Sequence, residues 1–174
     1  KIIFDGPKEL LDETENTQPS IFLVSYAIFQ LIKKETTYDI QSASYFAGHS
    51  LGEYSARACS DVINFNDTLK LLKLRGNAMQ NAVPKKEGGM VAVLGLEINE
   101  LKDIIESNKD KFNCFLANDN SNGQIVASGT MENINKLSKD LASKNIKNIK
   151  LSVSAPFHCN LMNKATEIMK SEIE

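Results

Sequence analysis

The stretch Gly48-His49-Ser50-Leu51-Gly52 limits what this chain can fold into more than any other. An apolar run, Tyr45 to Ala47, precedes it, and a helix-compatible segment, Glu53 to Cys59, follows. A G-x-S-x-G match carries meaning between a strand and a helix, and this spacing predicts that context. A serine on a strained turn needs neighbours without side chains, so both glycines are expected to let strand and helix pass close together. Ser50 then projects from the tip. The backbone N–H groups after it, beginning with that of Leu51, are expected to open the helix without intrahelical partners and to point at an oxygen held above the serine. That arrangement suits an oxyanion. The alternative is a glycine-bounded turn with an exposed serine.

Composition removes several classes. With 42% hydrophobic residues over 174, the chain can bury a core in one or two small domains. The net charge of −2, with both signs interspersed, implies neither a nucleic-acid partner nor a membrane surface. Three cysteines, Cys59, Cys114 and Cys159, form an odd set without a C-x-x-C pair, which argues against a disulfide framework and against a zinc site. A reducing, cytoplasmic setting fits, and we expect no metal and no resident cofactor. No apolar run reaches the length of a membrane span, and no stretch reads as a signal peptide. The chain opens on Lys1 and closes inside a periodic pattern, so both ends are expected to be cut from a longer polypeptide.

In chain order, residues 1–15 are polar with a turn at Asp5-Gly6-Pro7. Thr17-Gln18-Pro19 is expected to open a helix capped by Thr17. Its residues Ile21 to Ile32 are apolar around more than one stripe, which predicts burial on most sides. After the serine turn, Asn66-Asp67 is expected to cap a helix running to about Ala82. From Gly88 onward the pattern changes: strands at 90–94, 112–117, 124–128 and 146–153 alternate with helices at 98–107 and 131–143. The order β-α-β-β-α-β is the split, ferredoxin-like arrangement. The chain thus reads as α/β, with a core part over 1–87, a small inserted subdomain over 88–154 and a return to the core over 155–174. Asn118 to Gly123 reads as a hairpin turn, and Lys136, Lys139, Lys144, Lys147 and Lys150 as a solvated face.

A serine hydroxyl needs a base within hydrogen-bond reach. His49 is adjacent to Ser50, and neighbouring side chains on a strained turn point apart, so His158, the only other histidine, remains by elimination. It sits on a loop after Pro156, just before a final helix that Asn160 is expected to cap. Taken alone, a single histidine is more often structural, and Arg75 among Lys70 and Lys73 reads as a solvated helix arginine. Glu53 and Arg57, at i and i+4, are expected to form a helix ion pair.

These blocks taken together carry a resemblance. Gly48 to Ala56, then Leu74-Arg75-Gly76 with Met79-Gln80 and Ala82-Val83-Pro84, then Gly88-Gly89-Met90, Asn118 to Gly129, and Pro156-Phe157-His158-Cys159 resemble, in order, the malonyl-CoA:acyl carrier protein transacylases. Thr14 to Pro19 joins them. The resemblance implies an α/β-hydrolase-like core subdomain, incomplete here, and a ferredoxin-like small subdomain. Carried over position by position, it implies Ser50 as nucleophile, His158 as general base, Arg75 as the residue that holds the malonyl carboxylate, and Leu51 as an oxyanion donor through its backbone N–H. Ala155 to His158 is similar to the malonyl-selective form. The implied reaction moves malonyl from malonyl-CoA to the phosphopantetheine thiol of acyl carrier protein, in a monomer. The family's N-terminal G-Q-G turn and C-terminal part match nothing in this sequence. A serine thioesterase, or a non-catalytic module that docks carrier protein through Lys136 to Lys150, are the alternatives.

Overall fold

The computed structural model describes residues 1–37, 39–153 and 155–173, with the side chain of Gln41 left out. Ser154, the expected end of the small subdomain, lies outside the described residues. The chain forms two compact units, Lys1–Asn77 and Ala78–Glu174.

In the first unit, α1 (Ile2–Asp5) and α2 (Lys8–Leu11) are single turns joined by Gly6-Pro7. The long α3 spans Thr14–Glu35, beginning earlier than expected. The Thr17 hydroxyl does not cap it: it donates to the carbonyls of Leu11 and, at 3.0 Å, Glu13. Pro19 therefore lies inside the helix. The carbonyl it leaves without an N–H, that of Glu15, takes a weak contact from Lys73 Nζ at 3.4 Å. Next come a 3₁₀ turn, Ile40–Ser42, then α4 (Gly52–Cys59) and α5 (Phe65–Gln80), whose last residues belong to the second unit. Asn64, rather than Asn66 or Asp67, starts α5: its Oδ1 accepts from Asp67 N at 2.9 Å.

Phe22, Ala58 and Leu72 are buried here, with Tyr26, Leu51, Tyr54, Phe65 and Leu69 packed on them. The Phe22 and Phe65 rings stack at 5.4 Å between centroids. This cluster grips the serine turn from below through Leu51 and Tyr54.

Two expectations fail in this unit. The helix α3 is not buried on most sides: Val24, Ile28 and Leu31 stay 42%, 52% and 59% exposed, because among the described residues α2, α4 and α5 cover other sides of it. Nor is the apolar run before Ser50 a strand. Tyr45, Phe46 and Ala47 are irregular and exposed, since a strand needs a paired neighbour and the sheet lies wholly in the second unit.

The second unit runs β1 (Gly88–Leu94), α6 (Ile98–Glu106), β2 (Cys114–Ser121), β3 (Gln124–Thr130), α7 (Met131–Ser143) and β4 (Asn148–Lys150). A 3₁₀ turn, Asn160–Met162, and α8 (Asn163–Ile173) follow. All strand pairs are antiparallel, in the order β2-β3-β1-β4. β1 and β3 pair from Gly88↔Thr130 to Leu94↔Gln124. Period-2 alternation splits the strands between two faces. Val91, Val93, Ile125 and Ala127 pack under Leu101 and Ile105 of α6 and Ile134, Leu137 and Leu141 of α7. Met90, Ala92 and Val126 meet Leu151, Val153 and Phe157 on the other face. The closing strand is shorter than expected, because only residues 148–150 ladder with β1, after which the chain crosses the face. β2 runs on to Ser121, with register shifts near Asn118 and Asp119, so only Asn122-Gly123 make the hairpin turn.

Candidate active site

Ser50 sits at φ 54, the left-handed conformation that a non-glycine residue adopts only when its surroundings enforce it. Gly48 is one enforcer. A Cβ there would lie 1.9 Å from the Gly52 carbonyl oxygen, so the chain can close the turn only without one. The expected steric task of Gly52 fails: a Cβ on it would meet nothing within 4 Å. The turn is held by Gly52 N–H to His49 O at 2.8 Å, Glu53 N–H to Ser50 O at 3.1 Å and Tyr54 N–H to Leu51 O at 3.0 Å. These bonds use N–H groups that were expected to be open. Among the described residues the Leu51 N–H has no acceptor, which leaves that donor for an oxyanion. The expected Glu53 to Arg57 pair forms at 2.8 Å on the outer face of α4.

The structure brings Arg75 to this turn. From α5 its Nη2 donates to Ser50 Oγ at 3.2 Å, and its Nη1 donates to the side-chain oxygen of Gln18 on α3. Gln18 is 3% exposed and donates in turn to Thr14 Oγ1 at 3.0 Å. The ring of Tyr54 lies 5.8 Å from the guanidinium carbon. Burial pushes the Arg75 guanidinium below its ordinary value, with Tyr54 opposing, yet an arginine remains charged. The solvated reading of Arg75 is therefore overturned: half-buried, it bridges two side chains. A guanidinium has donors only, so it cannot take the Ser50 proton, and the base has to be another group.

Sequence reasoning missed Gln18 and Tyr54. The available signal was a polar pair, Thr14 and Gln18, at i and i+4 leading into an apolar helix.

A groove of about 510 Å³ runs beside the turn, lined by Ile21, Phe29, Phe46, Ser50 and Cys59 among others. Burial, with Asp61 adding to it, raises the Cys59 thiol above its ordinary value and keeps it from being a ready nucleophile.

His158 belongs to the second unit. It is exposed, at φ 57, on the loop between Val153 and the 3₁₀ turn. Its neighbours fix that loop. Pro156 is fully buried, and it lies so close to β1 that a Cβ on Gly88 would come within 2.1 Å of the proline Cδ. The Cys159 thiol donates to the Pro156 carbonyl at 3.2 Å, and Phe157 covers the sheet face. The Asn160 cap is displaced by the 3₁₀ turn, which α8 follows. Among the described residues no three His, Cys, Asp or Glu side chains group as a metal site. The lysine face carries ion pairs of its own, Lys136 to Glu132 and Lys144 to Asp140, each at 2.6 Å.

The whole chain, residues 1–174, matches the acyl transferase domain model. The chain belongs to that family. It is 38% identical over 176 residues to the malonyl CoA-acyl carrier protein transacylase of Bacillus subtilis, covering 99% of this chain and 54% of the relative. It is 36% identical to the transacylase of Haemophilus influenzae, again covering 99% of this chain and 55% of the relative. Among solved structures, the acyl-carrier-protein-S-malonyltransferase of Bartonella henselae is similar with a TM-score of 0.90 at 40% identity, over 98% of this chain and 55% of its own. A malonyl-transacylase solved in complex with a type II PKS acyl-carrier protein is similar with a TM-score of 0.90 at 33% identity, over 99% and 55%. The chain thus spans about half the length of the acyltransferases it matches. Among the described residues no helix is long and apolar enough to cross a membrane.

Proposed function

We propose that this chain carries the acyl-transfer site of an enzyme that moves malonyl from malonyl-CoA to the phosphopantetheine thiol of acyl carrier protein, in fatty-acid synthesis. The observation that carries the reading is Arg75 Nη2 at 3.2 Å from Ser50 Oγ. Malonyl differs from acetyl by one carboxylate, and a charged planar fork beside the nucleophile binds that group through paired hydrogen bonds.

His158 takes the Ser50 proton as Oγ bonds the thioester carbon; the oxyanion rests on the Leu51 N–H; the C–S bond breaks and the CoA sulfur leaves with that proton. The carrier thiol then gives its proton to His158, its sulfur bonds the malonyl carbon, and Ser50 Oγ leaves and is reprotonated. No metal or resident cofactor enters either half. Similarity to the malonyl-transacylase solved with a carrier protein supports the choice of acceptor. Three free thiols agree with a cytoplasmic setting. The enzyme acts as a monomer.

The serine turn supports reading residues 1–87 as part of an α/β-hydrolase-like core. The sheet order β2-β3-β1-β4 supports a ferredoxin-like subdomain over 88–154. Return to the core at 155–174 rests on Ala155, Met162 and Ala165 packing against Ala78 and Met79 of α5.

Intact-protein mass after mixing with malonyl-CoA tests the assignment. A malonyl adduct on the parent, absent from Ser50→Ala and passed on to carrier protein faster than to water, is the expected result. Release to water alone makes the protein a hydrolase, and no adduct overturns the catalytic reading.

A further inference from the structure

We infer that Tyr54 is a positioning residue that sets malonyl selectivity by giving the Arg75 guanidinium a fixed aromatic shelf one helical turn from the nucleophile. This deepens the proposed function and rests on the carboxylate role given there to Arg75. Arg75 is held on three sides: by Ser50 Oγ, by the Gln18 amide and by the Tyr54 ring, 5.8 Å from its central carbon. The first two contacts are single hydrogen bonds, about which a long side chain can still swing. A ring face removes that freedom, since a flat cation keeps its attraction only while it stays over the quadrupole.

The shelf is itself immobile. Tyr54 packs on the buried trio Phe22, Ala58 and Leu72, and its N–H is bonded to Leu51 O. Ser50 and Tyr54 are also at i and i+4 across the turn that opens α4, so nucleophile and shelf move as one piece. The distance from the reacting hydroxyl to the carboxylate-binding fork is thus set by α4, although the fork is rooted on α5. A loosened fork would still meet malonyl, but would lose part of its binding to the search for the right orientation.

The test is the ratio of malonyl to acetyl loading in Tyr54→Phe, Tyr54→Leu and Arg75→Ala, with KM and kcat measured separately. Tyr54→Leu is expected to lower the ratio by roughly five- to thirty-fold, the range of a partly desolvated cation over a ring, chiefly through KM. Tyr54→Phe, which keeps the ring and drops only the hydroxyl, should restore it to near the parent. Fluorinated phenylalanines at position 54 preserve shape while draining charge from the ring face, so the ratio should fall stepwise with fluorine count even where Tyr54→Leu does not fold. A ratio indifferent to fluorination, or a Tyr54→Phe as damaged as Tyr54→Leu, overturns the shelf while Arg75→Ala still shifts selectivity. An Arg75→Ala protein with parental selectivity overturns the carboxylate role and the shelf with it.

Discussion

Replacing Gln18 by Glu puts a negative charge on the guanidinium that the proposed mechanism reserves for substrate. The parent glutamine is 3% exposed, accepts from Arg75 Nη1 and donates to Thr14 Oγ1 at 3.0 Å. In Gln18→Glu the acceptor stays in place, so the bond to Arg75 survives, but the cation acquires a permanent counter-ion. A malonyl carboxylate reaching the other edge of the fork would then face a like charge about 6 Å away, a repulsion of roughly 3 kcal/mol at an effective dielectric of about 20. That corresponds to on the order of a hundredfold in affinity. The assay is single-turnover loading of Ser50 from malonyl-CoA and acetyl-CoA. KM for malonyl-CoA should rise by about that factor, while acetyl-CoA, which has no free carboxylate, should not share the increase. Gln18→Leu separates charge from contact: it deletes the acceptor without adding charge, and losing one hydrogen bond to a charged group costs about 1.5–3 kcal/mol. A Gln18→Glu protein whose malonyl KM stays within about threefold of the parent would show that Arg75 does not hold the substrate carboxylate.

The two glycines of the serine turn should respond oppositely. Gly48→Ala drives a methyl to 1.9 Å from a backbone oxygen and is expected to abolish Ser50 reactivity and lower the thermal midpoint. Gly52→Ala meets nothing and starts a helix, so it should be neutral or stabilising by about 0.4–1 kcal/mol. Equal effects of the two would refute the geometry given for the turn. In the second unit the buried Cys114 thiol is pushed up to about 12, by burial first and Cys159 second. The folded thiol holds its proton where the unfolded one has lost it, so the thiol form has no effect on stability below about pH 8.5, the ordinary thiol value. Above that, stability should fall by up to about 1.4 kcal/mol per pH unit until the folded thiol ionises, a slope that Cys114→Val should remove from alkaline chemical denaturation curves.

The serine turn was legible because its geometry is local: a left-handed serine, a glycine that cannot carry a methyl and a helix opening at once all leave marks within five residues. The second unit was legible for a similar reason, since period-2 and period-3.6 patterns alternate cleanly from Gly88 to Ser143 and each face finds its partner nearby. What failed was non-local. The apolar residues of α3 and the run at 45–47 read as buried helix and strand, but burial depends on what packs against them, and a pattern of side chains does not name the partner. Arg75 was ambiguous until α3 and α5 were side by side, because its neighbours in sequence are lysines while its neighbours in space are Gln18, Ser50 and Tyr54. Gln18 went unread because its meaning is the guanidinium it touches, 57 residues away.

Ser50 and His158 share an unusual backbone, both held in the left-handed region. Each such residue stores about 1–3 kcal/mol that a glycine would release. If variants of this chain were sorted for heat resistance alone, glycine would gain at these two positions; sorted for acyl transfer, the roles proposed for Ser50 and His158 predict that it would vanish from both. The roles proposed for Ser50 and His158 can therefore be checked from the outside, as places where the two kinds of selection should pull in opposite directions.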